Sequence, residues 1–131
     1  MHPNPELMLL AAAVVVGIVQ LLWATAAARG QQGMVYGRGP QDEPIVLTGG
    51  AGRLDRSFRN FMETFPLHAA AVIVVYLLAK QSDLSLWGSG LYVFGRALHP
   101  PMYLFSIPWT RTIVWFVAFA GTLMVVAAVF L

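Results

Sequence analysis

Arg53-Leu-Asp-Arg-Ser-Phe-Arg-Asn-Phe-Met-Glu63, running almost directly into the apolar stretch Phe65 to Ala79, is the part of the chain on which the fold turns. It sets five ionisable groups and an amide at the mouth of a hydrophobic segment. In hydrocarbon an Arg or Asp at a helix centre costs roughly 2.5 to 3.5 kcal/mol, whereas an apolar residue returns only about 0.3 to 0.6 kcal/mol. A helix spanning both parts must therefore turn its charged groups toward protein, water or a polar ligand. At about 100 degrees per residue, Arg53, Arg56, Arg59, Asn60 and Glu63 fall within an arc of roughly 120 degrees, a stripe about 15 Å long. Asp55 lies off it. Spacing alone admits two readings: an internal pair of Arg56 or Arg59 with Glu63, or an anion-binding wall. In the second, guanidinium forks grip carboxylates and Glu63 holds an ammonium or a neighbouring arginine.

Outward from this stretch the composition decides the solvent. Of the 131 residues 58% are hydrophobic and only 11% charged, which places the chain in a membrane rather than in water. Leu7 to Ala28 is broken only by Gly17, Gln20 and Thr25, and Ile113 to Leu131 carries no charge. Each meets the roughly 20-residue requirement of a bilayer core. Phe65 to Ala79 reaches that length once the turns from Arg53 to Thr64 are added. Leu84 to Phe105 is a fourth candidate, interrupted by Arg96, His99 and Pro100-Pro101. The first span is expected to be retained rather than cleaved as a signal peptide. Its leading residues hold no Lys or Arg, and its apolar run exceeds the 7 to 15 residues or so of a signal core. With no cysteine, disulfides, thiolate metal sites and a cysteine nucleophile are excluded. A net charge of +2, arising from few charges altogether, gives no nucleic-acid signal.

Arg29 to Gly52 is rich in glycine and lacks apolar periodicity beyond Ile45 to Leu47, and reads as a loop. Arg29, Arg38, Arg53, Arg56 and Arg59 lie in or just after it, whereas Lys80 to Asp83 offers one base and one acid. The positive-inside rule places this loop in the cytoplasm and both termini opposite. Pro108 suits the first turn of the last helix, where its missing N–H costs nothing. The expected organisation is one all-α domain, residues 1–131, with helices at about 5–28, 53–80, 84–106 and 108–131 and the loop at 29–52. An antiparallel four-helix bundle is the default packing. Small residues on the first helix, Ala11 to Ala13, Gly17 and Ala24 to Ala28, would let helices approach closely.

The third helix carries Arg96, His99 and Tyr103 on neighbouring faces, a second polar wall, while Pro100 and Pro101 should bend it. Arg111, Thr112 and Trp115 open the fourth helix on the side that holds Arg53 to Arg59. His68 lies off the stripe and reads as a structural hydrogen-bonding residue, and Pro66 should kink the helix beyond Glu63. Trp23, Trp87, Trp109, Tyr36 and Tyr92 read as interfacial anchors or packing. No phosphate loop, zinc motif or serine elbow is present, and no metal is expected.

Arg56-Ser-Phe-Arg59-Asn60-Phe-Met-Glu63-Thr-Phe-Pro66, then Arg96-Ala-Leu-His99-Pro-Pro-Met-Tyr103 and Pro108-Trp-Thr-Arg111-Thr112, resembles the MAPEG family, the membrane-associated proteins of eicosanoid and glutathione metabolism. The resemblance covers roughly residues 5–131, and its ending is similar to that of bacterial members. It implies a homotrimer of four-helix bundles, with sites between subunits near the cytoplasmic face. It also implies glutathione as co-substrate at Arg56, Arg59, Asn60, Glu63, His99 and Tyr103, and Arg111, aided by Thr112, beside the sulfur as the catalytic pair. Trp115 stands where glutathione-using members are similar in carrying a tyrosine. An indole N–H donates, but lacks a hydroxyl's acid-base range.

The implied activity is thiol transfer, or thiol-dependent peroxide reduction, on a lipophilic small molecule in a bacterial inner membrane. A thiol of pKa near 8.5 is only about 3% thiolate at pH 7, so a two-unit decrease requires about 2.7 kcal/mol of preferential stabilisation. Arg111, with Thr112 or the positive end of the last helix, is the candidate source. The rival is a non-catalytic bundle binding membrane lipid or a partner protein. A small multidrug exporter is disfavoured, because its essential Glu belongs inside the first helix, where this chain is read as having none.

Overall fold

The computed structural model describes residues 4–42, 46–107 and 109–131, and the expected role of Pro108 lies outside them. The described residues form four long helices and one short helix: α1 (Pro5–Gln32), α2 (Met34–Arg38), α3 (Gly49–Leu77), α4 (Asp83–Leu104) and α5 (Thr110–Phe130). α1, α3 and α5 are long and apolar enough to cross a membrane. The 22 residues of α4 span about 33 Å at 1.5 Å per residue, and its awkward groups are turned inward: Arg96 is 0% and His99 2% exposed.

Local chemistry explains the helix ends. Asn4 caps α1, its Oδ1 accepting from the Leu7 N–H at 3.1 Å, and Pro5 and Glu6 suit the first turn. α4 begins with a reciprocal box in which the Ser82 and Ser85 hydroxyls each accept the other's backbone N–H. The loop expected at 29–52 is corrected at both ends. Nothing stops α1 at Ala28, and its helical bonding runs on until Gly33 adopts φ 87°. α3 starts at Gly49, four residues before Arg53, and α2 occupies part of the intervening stretch. Gln31 ties these ends together, donating to Thr48 O at 2.6 Å and accepting from Thr48 N at 3.1 Å.

α4 packs along α5, and α1 and α3 both pack on α4 and on each other. Without a hydrophobic driving force between helices in lipid, close backbone approach carries association. Gly88, Gly95 and Gly121 provide it at the α4–α5 seam: a Cβ on Gly88 would lie 2.5 Å from Gly121 O, and one on Gly95 2.8 Å from Val114 O. On α1, Gly17 receives the Phe61 ring. Ala71, Val72, Val75, Val125 and Ala128 form one buried apolar cluster, and Ala13, Phe61, Tyr92 and Ala118 another. Val15, Leu22, Leu77 and Phe116 face outward, as membrane helices require.

Glu6 corrects the expectation that the first helix holds no Glu. It lies in the first turn of α1, buried, with Oε1 accepting from the Ser85 hydroxyl at 2.8 Å. Its position is terminal and its partner a serine. His68 behaves as expected, fully buried, hydrogen-bonded to Thr122 Oγ1 at 3.1 Å and stacked on Tyr92 with centroids 3.8 Å apart. Pro66 lies within α3, and Pro100 and Pro101 within α4, which continues to Leu104.

Candidate functional site

Three helices bring their polar faces to one cleft of about 390 Å³. α3 contributes Arg56, Arg59, Asn60 and Glu63, α4 His99 and Tyr103, and α5 Arg111, Thr112 and Trp115. All eight residues that the family resemblance implied line it, joined by Trp115, whereas Arg53 and Arg96 of the two polar walls do not. The cleft is within the roughly 300 to 1,000 Å³ range of small-molecule sites. Its three guanidinium groups against one carboxylate leave a formal excess of +2, which suits a guest with more than one anionic group.

Tyr103 organises the mouth. Its hydroxyl accepts from Arg56 Nε at 3.1 Å, and the Arg111 guanidinium carbon stands 4.6 Å from the ring centroid. The phenol thus anchors one cation by its oxygen and another by its face. Arg53, although part of the helical stripe, leaves the cleft and donates to Leu104 O at 3.2 Å.

The suggested internal pair of Arg56 or Arg59 with Glu63 is corrected. Among the described residues the one ion pair joins Arg59 Nε to Asp55 Oδ2 at 3.0 Å, one turn back along α3. The Arg59 side chain is 75% exposed, and a solvated pair of this kind is worth only about 0 to 1 kcal/mol. Arg59 can therefore exchange Asp55 for a guest carboxylate at little cost. Glu63 keeps its place in the cleft wall.

Arg96 stands behind the cleft rather than in it. Fully buried, it donates from Nη1 to Asn60 Oδ1 at 2.8 Å and from Nη2 to Ser57 O at 3.4 Å. With the carbonyl of Asn60 so engaged, its NH₂ is the end left for a guest. His99 Nδ1 lies 2.7 Å from Ser57 Oγ, which also takes a hydrogen bond from Gln20 Nε2 at 3.0 Å. Ser57 and Gln20 are the residues the sequence reading missed. The available signal was a lone amide in an otherwise apolar span, since intramembrane polar groups need partners.

A second cavity of about 220 Å³ adjoins the first, with Glu63 and Trp115 in both walls. Leu67, Ala118 and Phe119 make its apolar lining, and Tyr92, Thr64 and Arg96 its polar patch. Trp115 is fixed by stacking on Phe119, centroids 5.1 Å apart at 15°. No group of three or more metal-ligating side chains occurs among the described residues.

The MAPEG family model matches residues 7–131. The chain belongs to the MAPEG family. No curated protein and no solved structure matches it. MAPEG membership and the three candidate spans make this an integral membrane protein. The signature that suggested MAPEG from sequence and the wall of the 390 Å³ cleft are largely the same residues. Three arginines of this MAPEG chain, Arg56, Arg59 and Arg111, thus gather in one cleft.

Proposed function

We propose that this protein is a membrane-bound, glutathione-dependent transferase or peroxidase acting on lipophilic electrophiles. It would work as one domain of four membrane-crossing helices, assembled as a homotrimer in a bacterial inner membrane with the 29–52 segment cytoplasmic. The observation that carries the reading is the convergence of Arg56, Arg59, Asn60, Glu63, His99, Tyr103, Arg111 and Thr112 on a single cleft. Glutathione brings two carboxylates, an ammonium and a thiol. Arg56 and Arg59 supply forks for the carboxylates, and Glu63 supplies the complement to the ammonium. The Asn60 amide donates to a peptide carbonyl.

Arg111 is the cation held over Tyr103, and in this reading it stabilises the thiolate together with the Thr112 hydroxyl. The thiolate attacks an electrophilic carbon, forming the C–S bond as the leaving group departs with its electron pair. With a peroxide it attacks the O–O bond, giving an alcohol and a glutathione sulfenic acid. A second glutathione converts that acid to disulfide and water. The adjoining apolar cavity, walled by Leu67, Ala118 and Phe119, supports an acceptor with a hydrocarbon body, each buried CH₂ contributing about 0.8 kcal/mol.

Titrating detergent-purified protein with glutathione and following thiolate absorbance in the ultraviolet tests the reading. A saturable rise is expected, abolished in Arg111→Ala, with turnover lost in both Arg111→Ala and Glu63→Gln. A flat response in the native protein would favour the non-catalytic lipid-binding or partner-binding alternative. Undiminished turnover in both variants would remove these site assignments.

A further inference from the structure

The hydrogen bonds behind the cleft bear on which ring nitrogen of His99 carries a proton. A serine hydroxyl has one hydrogen. Ser57 Oγ accepts from Gln20 Nε2 at 3.0 Å and lies 2.7 Å from His99 Nδ1, so its own proton is free to go to the imidazole. Nδ1 is then the acceptor, the ring is neutral, and the proton sits on Nε2. His99 lines the cleft, and with Nδ1 occupied, Nε2–H is the ring group left to serve a guest.

The opposite arrangement, with a protonated Nδ1 donating to Ser57, would either make the buried Ser57 hydroxyl accept twice and leave its own proton without an acceptor among the described residues, or require the Gln20 amide to be turned over. Ser57 would then donate to Gln20 and accept from a protonated Nδ1, and His99 would offer the cleft a lone pair. Two facts decide between these. Gln20 is 2% exposed, and its Oε1 has no hydrogen-bond partner. Turning the amide would leave an NH₂ in that place instead, and orphaned buried donors are rarer than under-satisfied carbonyls. The arrangement in which Gln20 Nε2 donates to Ser57 Oγ and His99 Nδ1 accepts is the one favoured.

We propose that Gln20 and Ser57 are positioning residues that hold His99 as a neutral Nε2–H donor, supplying the cleft with a fixed hydrogen bond for an acceptor oxygen of the bound thiol peptide. The relay crosses three helices, from α1 through α3 to α4. It gives a purpose to the one amide in an otherwise apolar span. Its consequence for binding rests on the glutathione reading above, whereas the tautomer itself does not.

Histidine ¹⁵N-labelled protein in micelles tests the proposal through two-bond proton–nitrogen couplings, with the His99 resonances assigned by their loss in His99→Gln. The native protein is expected to show the Nε2–H tautomer. Gln20→Met, close in shape but without a donor, should yield a mixture of tautomers and weaken glutathione binding about tenfold, the scale of one lost hydrogen bond. Ser57→Ala should do the same, and Ser57→Thr, which keeps the hydroxyl, should restore the native spectrum. An Nδ1–H tautomer in the native protein overturns the proposal without any variant, and so does a Gln20→Met spectrum identical to the native one. Native protein that shows Nε2–H yet binds no glutathione upholds the relay and removes the thiol-peptide reading.

Discussion

A guanidinium buried to 0% exposure with only neutral partners is costly, and Arg96 is such a group. Asn60 meets it at 2.8 Å, and the Phe61 ring lies beneath it with its centroid 5.7 Å away. Asn60→Leu is therefore expected to lower stability by about 1.5 to 3 kcal/mol, the range for a hydrogen bond to a charged group, measured by denaturant unfolding in mixed micelles. Tyr103 separates two effects that a single truncation would merge. Tyr103→Phe removes the acceptor of Arg56 but keeps the face beneath Arg111, so glutathione affinity should fall modestly with the thiolate signal retained. Tyr103→Ala should diminish both. That α3, α4 and α5 carry polar walls was legible from spacing, because ionisable groups in a membrane chain have few places to go; which eight of those residues share a cleft was implied only by the family resemblance. Ser57 was not legible, because a single small polar residue has no periodic signal, and Gln20 marked only that some partner was needed, not which one. The Asp55 partner of Arg59 was not legible either, because Asp55 lies off the polar stripe even though it is one turn from Arg59.

The glycines of residues 29–52 suggested a loop, yet Gly49, Gly50 and Gly52 lie inside α3, where a Cβ on Gly52 would meet Leu47 O at 2.8 Å. Composition could not separate glycine that breaks a helix from glycine that lets another segment come near. The seam of α4 with α5 carries a sharper prediction. Gly95→Val would drive a side chain against Val114 O at 2.8 Å and Ala118 at 2.9 Å. Overpacking of this kind typically costs about 1 to 3 kcal/mol. His99 and Tyr103 ride on one side of that seam, Arg111 and Trp115 on the other. Turnover should thus drop further than the stability loss alone predicts, a difference visible when activity is measured well below the melting temperature.

Across the whole molecule two polar clusters lie toward opposite ends of α4. The cleft lies where α3 begins and α4 ends, whereas Glu6 and Ser85 meet where α1 and α4 begin. Ser85→Ala would strip the buried Glu6 carboxyl of its donor and break the α4 cap together. A loss of about 1 to 3 kcal/mol is expected, with glutathione binding unchanged at temperatures where the protein stays folded. The membrane class and the first and last helices were plain from hydropathy, whereas α4, interrupted by Arg96, His99 and Pro100-Pro101, was not. The internal Glu6 contact was not, since it joins residues 79 apart in sequence.

Trp115 and Glu63 border the polar cleft and the apolar cavity alike. Two guests divided by a common partition cannot be indifferent to one another: whatever leans on the indole from the hydrocarbon side alters the room left on the water side. Thermodynamic linkage makes that influence mutual and equal in magnitude. Saturating either compartment should accordingly displace the half-filling concentration of the other by the same factor, so the order of loading changes the route without changing the final balance.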